Sequence, residues 1–189
     1  MELGLRRGTV SVEAHNGEWE RAASETIAEL RSILRGVLID AQHIGSTAVR
    51  GICAKPILDI AVGVSDFDAL LSKNSILEEH GFVFRGQDHP SQYLYVCGKD
   101  DIRTHHIHAV IYNSGIWNDY VDMRDYLNCH KEEAENYSKL KESLARQYPE
   151  DRETYTAGKS EMIGEILKKA RDWRGSRRGE QIPSCEVES

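Results

Sequence analysis

His43-Ile44-Gly45-Ser46-Thr47, followed after a short connector by Lys55-Pro56-Ile57-Leu58-Asp59-Ile60, is the stretch on which the fold turns. Val37–Ile44 reads as a strand that stops at Gly45. Residues 47–55 contain Gly51 and lead into Pro56, so they read as a turn or partial helix. Ile57–Val64 carries the strongest strand pattern in the chain. Leu58, Ile60, Val62 and Val64 share one face; Ile57, Asp59, Ala61 and Gly63 share the other. Asp59 therefore interrupts an apolar strand. An unpaired carboxylate there is costly, so a partner or a cleft is expected. The parts suit phosphoryl chemistry. Glycine admits a phosphate close to the backbone, Ser46 and nearby amides can hold its oxygens, and a carboxylate on a rigid strand can bind a divalent ion.

Working outward, Trp19, Ala23, Ile27, Leu30 and Leu34 recur at helical spacing, and Gly36 stops the helix. Thr9–Ala14 reads as an opening strand. Asp66–His80 reads as one helix closed by Gly81. Phe82–Arg85, Tyr93–Cys97 and Thr104–Tyr112 read as strands. Trp117–Cys129, Glu132–Tyr148 and Arg152–Trp173 read as helices, with Pro149 between the last two. Residues 1–173 are expected to form one domain and 174–189 a disordered tail. Strands first and helices last imply α+β, with helices on one face of the sheet and a helical C-terminal segment.

In Arg103-Thr104-His105-His106-Ile107-His108-Ala109-Val110-Ile111, alternation sets Ile107, Ala109 and Ile111 against the core. His106, His108 and Val110 then face the other way, toward Asp59. His105, on the core face, reads as a structural histidine. His-x-His plus a carboxylate is a metal-ligand pattern. The alternative is that a histidine orients Asp59 or a phosphate and binds no ion.

The charge balance narrows the partners. The chain has 189 residues, 40% of them apolar and 29% charged, with a net charge of −7. An acidic surface repels phosphate backbones, which argues against a broad nucleic-acid face. The four cysteines lack any C-x-x-C pair, as expected of reduced, buried thiols in a cytoplasmic protein. No leader-like or membrane-length apolar run is present, so no membrane partner is expected.

Several segments together resemble the GrpB family of the nucleotidyltransferase-fold superfamily. They are His43-Ile44-Gly45-Ser46-Thr47-Ala48-Val49 with Gly51, Ala54-Lys55-Pro56-Ile57 and Asp59; Arg103-Thr104-His105-His106-Ile107-His108; Arg124-Asp125-Tyr126-Leu127; and Tyr155-Thr156-Ala157 with Lys159-Ser160-Glu161. The resemblance implies a nucleotidyltransferase-like mixed or antiparallel sheet. It implies a nucleoside triphosphate gripped by Gly45, Ser46 and Thr47, with Lys55, Arg103, Tyr155 and Lys159 as further nucleotide contacts. Tyr155 and Lys159 lie four apart on one helix face, where they could contact a base and a phosphate; packing against the sheet with a snorkelling lysine is the equal alternative. Asp59, His106 and His108 are the candidate catalytic and metal-binding residues, with Mg²⁺ the first expectation and Mn²⁺ or Zn²⁺ the alternatives.

Two departures stand out. The superfamily places a second carboxylate two residues after the first, where this chain has Ala61. The family tends to have proline where this chain has Arg50, which adds a positive charge near the phosphates or reshapes the connector. Three functions stay open at this level: metal-dependent transfer of a nucleoside monophosphate to an unidentified small-molecule acceptor, a catalytically silent nucleotide-binding module, or a metal-dependent hydrolase built on Asp59, His106 and His108.

Overall fold

The structure is a computed structural model, and it describes residues 3–177. The strands are β1 (Leu5–Arg6), β2 (Leu38–Ile44), β3 (Leu58–Val64), β4 (Val83–His89), β5 (Gln92–Cys97), β6 (Ile102–Arg103) and β7 (His105–Ile111), the last four following one another without a helix between them. The helices are α1 (Glu18–Ile33), α2 (Phe67–Leu71), α3 (Asn74–Glu79), α4 (Gly115–Cys129), α5 (Lys131–Gln147), α6 (Arg152–Ala157) and α7 (Ser160–Arg177). Five strands form a mixed sheet in the order β2-β3-β7-β5-β4, and β1 pairs with β6 separately. Within the large sheet β3 and β7 run parallel, and the other pairs are antiparallel.

Period-two alternation sorts the sheet into two unlike faces. On one, Ile60, Val62, Val64, Tyr95, Ile107 and Ala109 pack against Leu30 of α1 and Leu34 just after it, Leu70 of α2 and Leu77 of α3. Ile60 is fully buried, and such a side chain contributes about 1.5–3 kcal/mol when taken out of water. On the other face, Ile44, Ala61 and Val110 pack against Trp117 of α4. Helices α1–α3 thus cover one face, and the C-terminal helical segment packs on the other through α4. Gly63 permits this: a Cβ there would stand 2.9 Å from the Trp117 ring, so the missing side chain is what lets α4 lie close to the sheet.

Other expectations shift in instructive ways. The segment 9–14 is no strand; Glu13 makes an isolated antiparallel bridge to Ala54. The helix read over 66–80 is two. Asp66 caps the first through Asp68 N and Ala69 N, and the Ser72 hydroxyl donates to Ala69 O, competing with the helical ladder. The helix read over 152–173 also divides, at Gly158, where a Cβ would stand 2.8 Å from the Leu144 side chain. Its second part continues to Arg177, beyond the expected start of the tail. Residues 178–189 lie outside the described residues. Trp19 is core, at 3% exposure, as its stripe predicts. Cys53 and Cys97 are free thiols; Cys129 is paired, and Cys185 lies outside the described residues.

A chain of ion pairs ties the helical layer to the site. Arg174 of α7 donates to Asp122 and Asp125 of α4 at 2.6 and 2.5 Å. Arg124, beside Asp125, donates to Gln42 Oε1 at 2.8 Å and to His43 O at 3.0 Å, holding the end of β2.

Candidate active site

The end of β2 delivers the Gly-Ser turn directly onto Asp59. Ile44 pairs with Asp59 across the antiparallel ladder. Gly45 then adopts φ 69°, in the left-handed region. A Cβ at this position would lie 2.6 Å from Asp59 Oδ2, so glycine is required twice over, by conformation and by contact. Thr47 is buried, and its hydroxyl lies 2.9 Å from His43 Nε2. Burial pushes the His43 imidazole down to about 4, which keeps it neutral.

Parallel pairing of β3 with β7 sets Asp59 beside His106 and Ala61 beside His108. His106 Nδ1 and His108 Nε2 lie 3.2 and 3.1 Å from the same oxygen, Asp59 Oδ1. Burial opposes ionisation of Asp59, but hydrogen bonds from the two imidazoles outweigh it and hold the carboxyl well below the usual carboxylate range. His108 stands beside Ala61, the position of the second carboxylate in the superfamily pattern. His105 faces the opposite side, between Thr26 Oγ1 at 3.2 Å and Thr104 Oγ1 at 2.8 Å, and is structural as read from its parity.

Asp59, His106 and His108 line a cavity of about 440 Å³ under α4, α5, α6 and α7. Gly45, Ser46, Thr47, Lys55, Tyr155 and Lys159 line it too. Arg103 does not: it sits in β6, paired with Leu5 of β1. Arg50 also lies outside the cavity, exposed and paired with Glu20 at 3.2 Å, so it brings no charge to it.

The wall opposite the sheet is cationic. The Lys55 and Lys159 ammonium groups lie 5.4 and 4.4 Å from the centre of the Tyr155 ring. Burial and neighbouring Lys55 lower Lys159 to about 8. Arg152 lines the cavity beside them. Lys141 of α5 is almost fully buried, and burial brings its amine down to about 7. Its Nζ donates to Cys53 O and lies 4.7 Å from the Tyr137 ring centre. Tyr137 in turn shares a hydrogen bond with Ser46. Neither Arg152, Tyr137 nor Lys141 was expected in the site. The signal for Lys141 was present: Ala134, Tyr137, Lys141 and Leu144 form one buried helical stripe, and a lysine on an apolar stripe faces either a core or a cavity.

The donor set suits a divalent cation. One ligand atom each from Asp59, His106 and His108 lies within 4.8 Å of the others. Their side chains keep 30%, 13% and 17% exposure, and all three line the cavity. Two imidazoles and a carboxylate suit zinc or iron better than magnesium, which prefers oxygen ligands.

A sequence profile described as GrpB protein matches residues 9–169. The chain belongs to the GrpB family. The glutamate-rich protein GrpB of Alkalihalophilus pseudofirmus is 34% identical over 170 residues, spanning 87% of this chain and 98% of that one. The UPF0157 protein YqkA of Bacillus subtilis is 28% identical, covering 89% of this chain and 49% of its own length, so this chain spans about half of it. Among solved structures, the conserved protein GrpB from Enterococcus faecalis superposes with a TM-score of 0.82 at 27% identity, over 87% of this chain and 99% of that one. The Cid1 poly(U) polymerase, solved with MgGTP bound, gives a TM-score of 0.50 at 12% identity, over 70% of this chain and 44% of its own. That last likeness shows the nucleotidyltransferase-like fold alone. No helix among the described residues is long and apolar enough to cross a membrane.

Proposed function

We propose that this GrpB protein is a metal-dependent nucleotidyltransferase that moves a nucleoside monophosphate from a nucleoside triphosphate to a small-molecule acceptor. The observation that carries this reading is the abutment of Gly45 on Asp59. A phosphate gripped by the turn necessarily meets the carboxylate that would hold a cation. Asp59, with His106 and His108, would hold that divalent ion, which supplies charge neutralisation for the phosphates. Ser46 and Thr47 offer hydroxyls beside the turn, and Lys55 and Lys159 offer positive charge across the cavity. Tyr155 presents a ring within reach of both lysines. Arg103, lying outside the cavity, is not proposed as a nucleotide contact.

The acceptor's hydroxyl or amine forms a bond to the α-phosphorus. The bond from that phosphorus to the β-phosphate oxygen breaks, pyrophosphate leaves, and the acceptor proton is released. The task is positioning and charge stabilisation, which rigid strands and a closed cationic wall can supply. The reading is tested by titrating the purified protein with the four nucleoside triphosphates, with and without Mg²⁺, Mn²⁺ or Zn²⁺. Metal-dependent binding of at least one triphosphate is the expected result. Its absence under every metal sinks the proposal.

One observation favours a second reading. Two imidazoles on one carboxylate form a donor set that can bind a transition metal without help from phosphates. A metal-dependent hydrolase would then bind Zn²⁺ or Mn²⁺ tightly with no nucleotide present and release no pyrophosphate. A catalytically silent nucleotide-binding module would bind triphosphate yet release no pyrophosphate with any acceptor.

A further inference from the structure

The cavity gathers more positive charge than a metal-chelated triphosphate needs. Among the described residues, Lys55, Lys141, Arg152 and Lys159 line it without a carboxylate partner in any ion pair. Two other charged side chains on its wall are paired, Arg124 with Asp125 at 2.7 Å and Asp119 with Arg171 at 2.6 Å, which leaves Asp59, hydrogen-bonded to the two imidazoles, as its unpaired anion. This happens in a chain whose net charge is −7. Unpaired cations enclosed together repel one another, and burial has already lowered the proton affinity of Lys55, Lys141 and Lys159. Such an arrangement is stabilised when anions enter.

The cations form two stations on two different rings. Lys55 and Lys159 flank Tyr155, and Asp59 acts electrostatically on both. They therefore lie on the side of the candidate cation site. Lys141 lies over the Tyr137 ring instead, almost fully buried on α5, with Lys159 near enough to act on its charge. A nucleoside triphosphate carries roughly four negative charges and keeps roughly two once a divalent ion binds it. With the Asp59 carboxylate that makes about three, which Lys55, Lys159 and Arg152 answer without Lys141.

We propose that the acceptor is itself a small anion, its carboxylate or phosphate received by Lys141 while Lys55, Arg152 and Lys159 hold the triphosphate. This rests on the nucleotidyltransferase reading and deepens it to a substrate class. The cavity's size, about 440 Å³, lies within the range of small-molecule pockets.

The test uses inorganic phosphate as the probe anion. The full chain is saturated with a non-hydrolysable triphosphate analogue and Mn²⁺, then titrated with phosphate by calorimetry. One phosphate per chain should bind to the saturated complex. Lys141→Met should weaken phosphate by about tenfold or more, the worth of a lost charge-assisted hydrogen bond, and leave analogue affinity within about twofold. Lys159→Met should do the reverse. Thermal unfolding of both variants establishes that each is folded, and Lys141→Arg should restore phosphate binding if Lys141→Met loses it. Failure of phosphate to bind the saturated complex overturns the inference alone. So does equal loss of analogue and phosphate in Lys141→Met, which would mean one shared station. Failure of the analogue to bind at all overturns the nucleotidyltransferase reading beneath it.

Discussion

The two faces of the central sheet are built from the same strands and differ in what alternation presents. Ile60 and Val62 of β3, with Ile107 and Ala109 of β7, look toward α1, α2 and α3 and are sealed from water. One residue along each strand, Asp59, His106 and His108 look into a cavity of about 440 Å³. A period of two thus separates stability from chemistry within single strands. The core face holds the strands in register, and the register sets Asp59 beside His106. Substitutions on the two faces should therefore fail differently, and the predictions below test that division.

The largest effect belongs to the cavity face. Asp59→Asn keeps the shape and removes the charge that would hold a cation. Transfer activity should fall by several kcal/mol in transition-state stabilisation, on the order of 10³-fold, while thermal unfolding stays cooperative. Full turnover by a folded variant would end the metal-ligand role. Ile60→Ala, the adjacent residue on the core face, should do the opposite. Its unfolding free energy should drop by about 2–5 kcal/mol, with nucleotide affinity unchanged where the variant remains folded.

His108→Ala sharpens the comparison within the cavity. Loss of even a supporting residue at a metal site typically weakens affinity about 10–100-fold, and loss of a direct ligand should weaken it at least as much. Metal titration without nucleotide reads this directly. An unchanged metal affinity with weakened triphosphate binding would assign His108 to phosphate instead. His105→Ala, on the other face, should leave both affinities alone.

A smaller effect is expected at the turn. Gly45→Ala places a methyl against Asp59 in a left-handed backbone conformation, a strain of about 1–3 kcal/mol. The methyl also fills the approach to the backbone amides. Triphosphate affinity should fall along with stability, and Gly36→Ala serves as the control. Gly36 has φ 82° but open space around it, so it should lose stability alone. Equal affinity in both variants would reduce Gly45 to a turn residue.

How far the sequence disclosed this division depends on the range of the signal. Strand parity is local, so the faces of β3 and β7 and the separate role of His105 could be read from alternation. The turn could be read because Gly45-Ser46 sits at a strand end. Their juxtaposition is non-local: parallel pairing of β3 and β7 spans residues 58 to 111, and the expectation that His108 faces Asp59 needed both strands to share one core. The cationic wall was less legible. Lys141 stands out as a lysine on the apolar stripe of α5, but the stripe alone does not tell a core from a cavity. Arg103 carried a family-like motif but falls on β6, which pairs away from the cavity with β1. Helix breaks at Ser72 and Gly158 depend on a side-chain-to-backbone bond and a contact with Leu144, which hydrophobic periodicity does not report.

The smallest expected effect is a pH dependence, and it also separates the faces. On the core side His105 is partly buried, and its desolvation holds it down at about 4, against 6.5 when free. The unfolded chain then binds the proton more readily, so stability should fall as pH drops from about 6.5 toward 4. On the cavity side Lys141 is held at about 7, against 10.5 when free. Its unfolded state also binds the proton more readily, here across the window from 7 to 10.5. Stability therefore rises with pH through that window, and the destabilisation from burying the ammonium is fully present below about 7. Lys141→Met should flatten this alkaline limb and leave the acid limb intact. Lys159, lowered to about 8 in the same cavity, should leave a residual slope between 8 and 10.5. Denaturant unfolding at a series of pH values, on the native chain and Lys141→Met, measures both limbs. An anion bound beside Lys141 should raise its proton affinity, because the ammonium gains a partner. Saturating phosphate in the presence of the triphosphate analogue should then also flatten the limb in the native chain and do nothing in Lys141→Met. An alkaline limb that is identical in the two proteins, with and without phosphate, would show that Lys141 is not the titrating group and would remove it from the cavity's electrostatics.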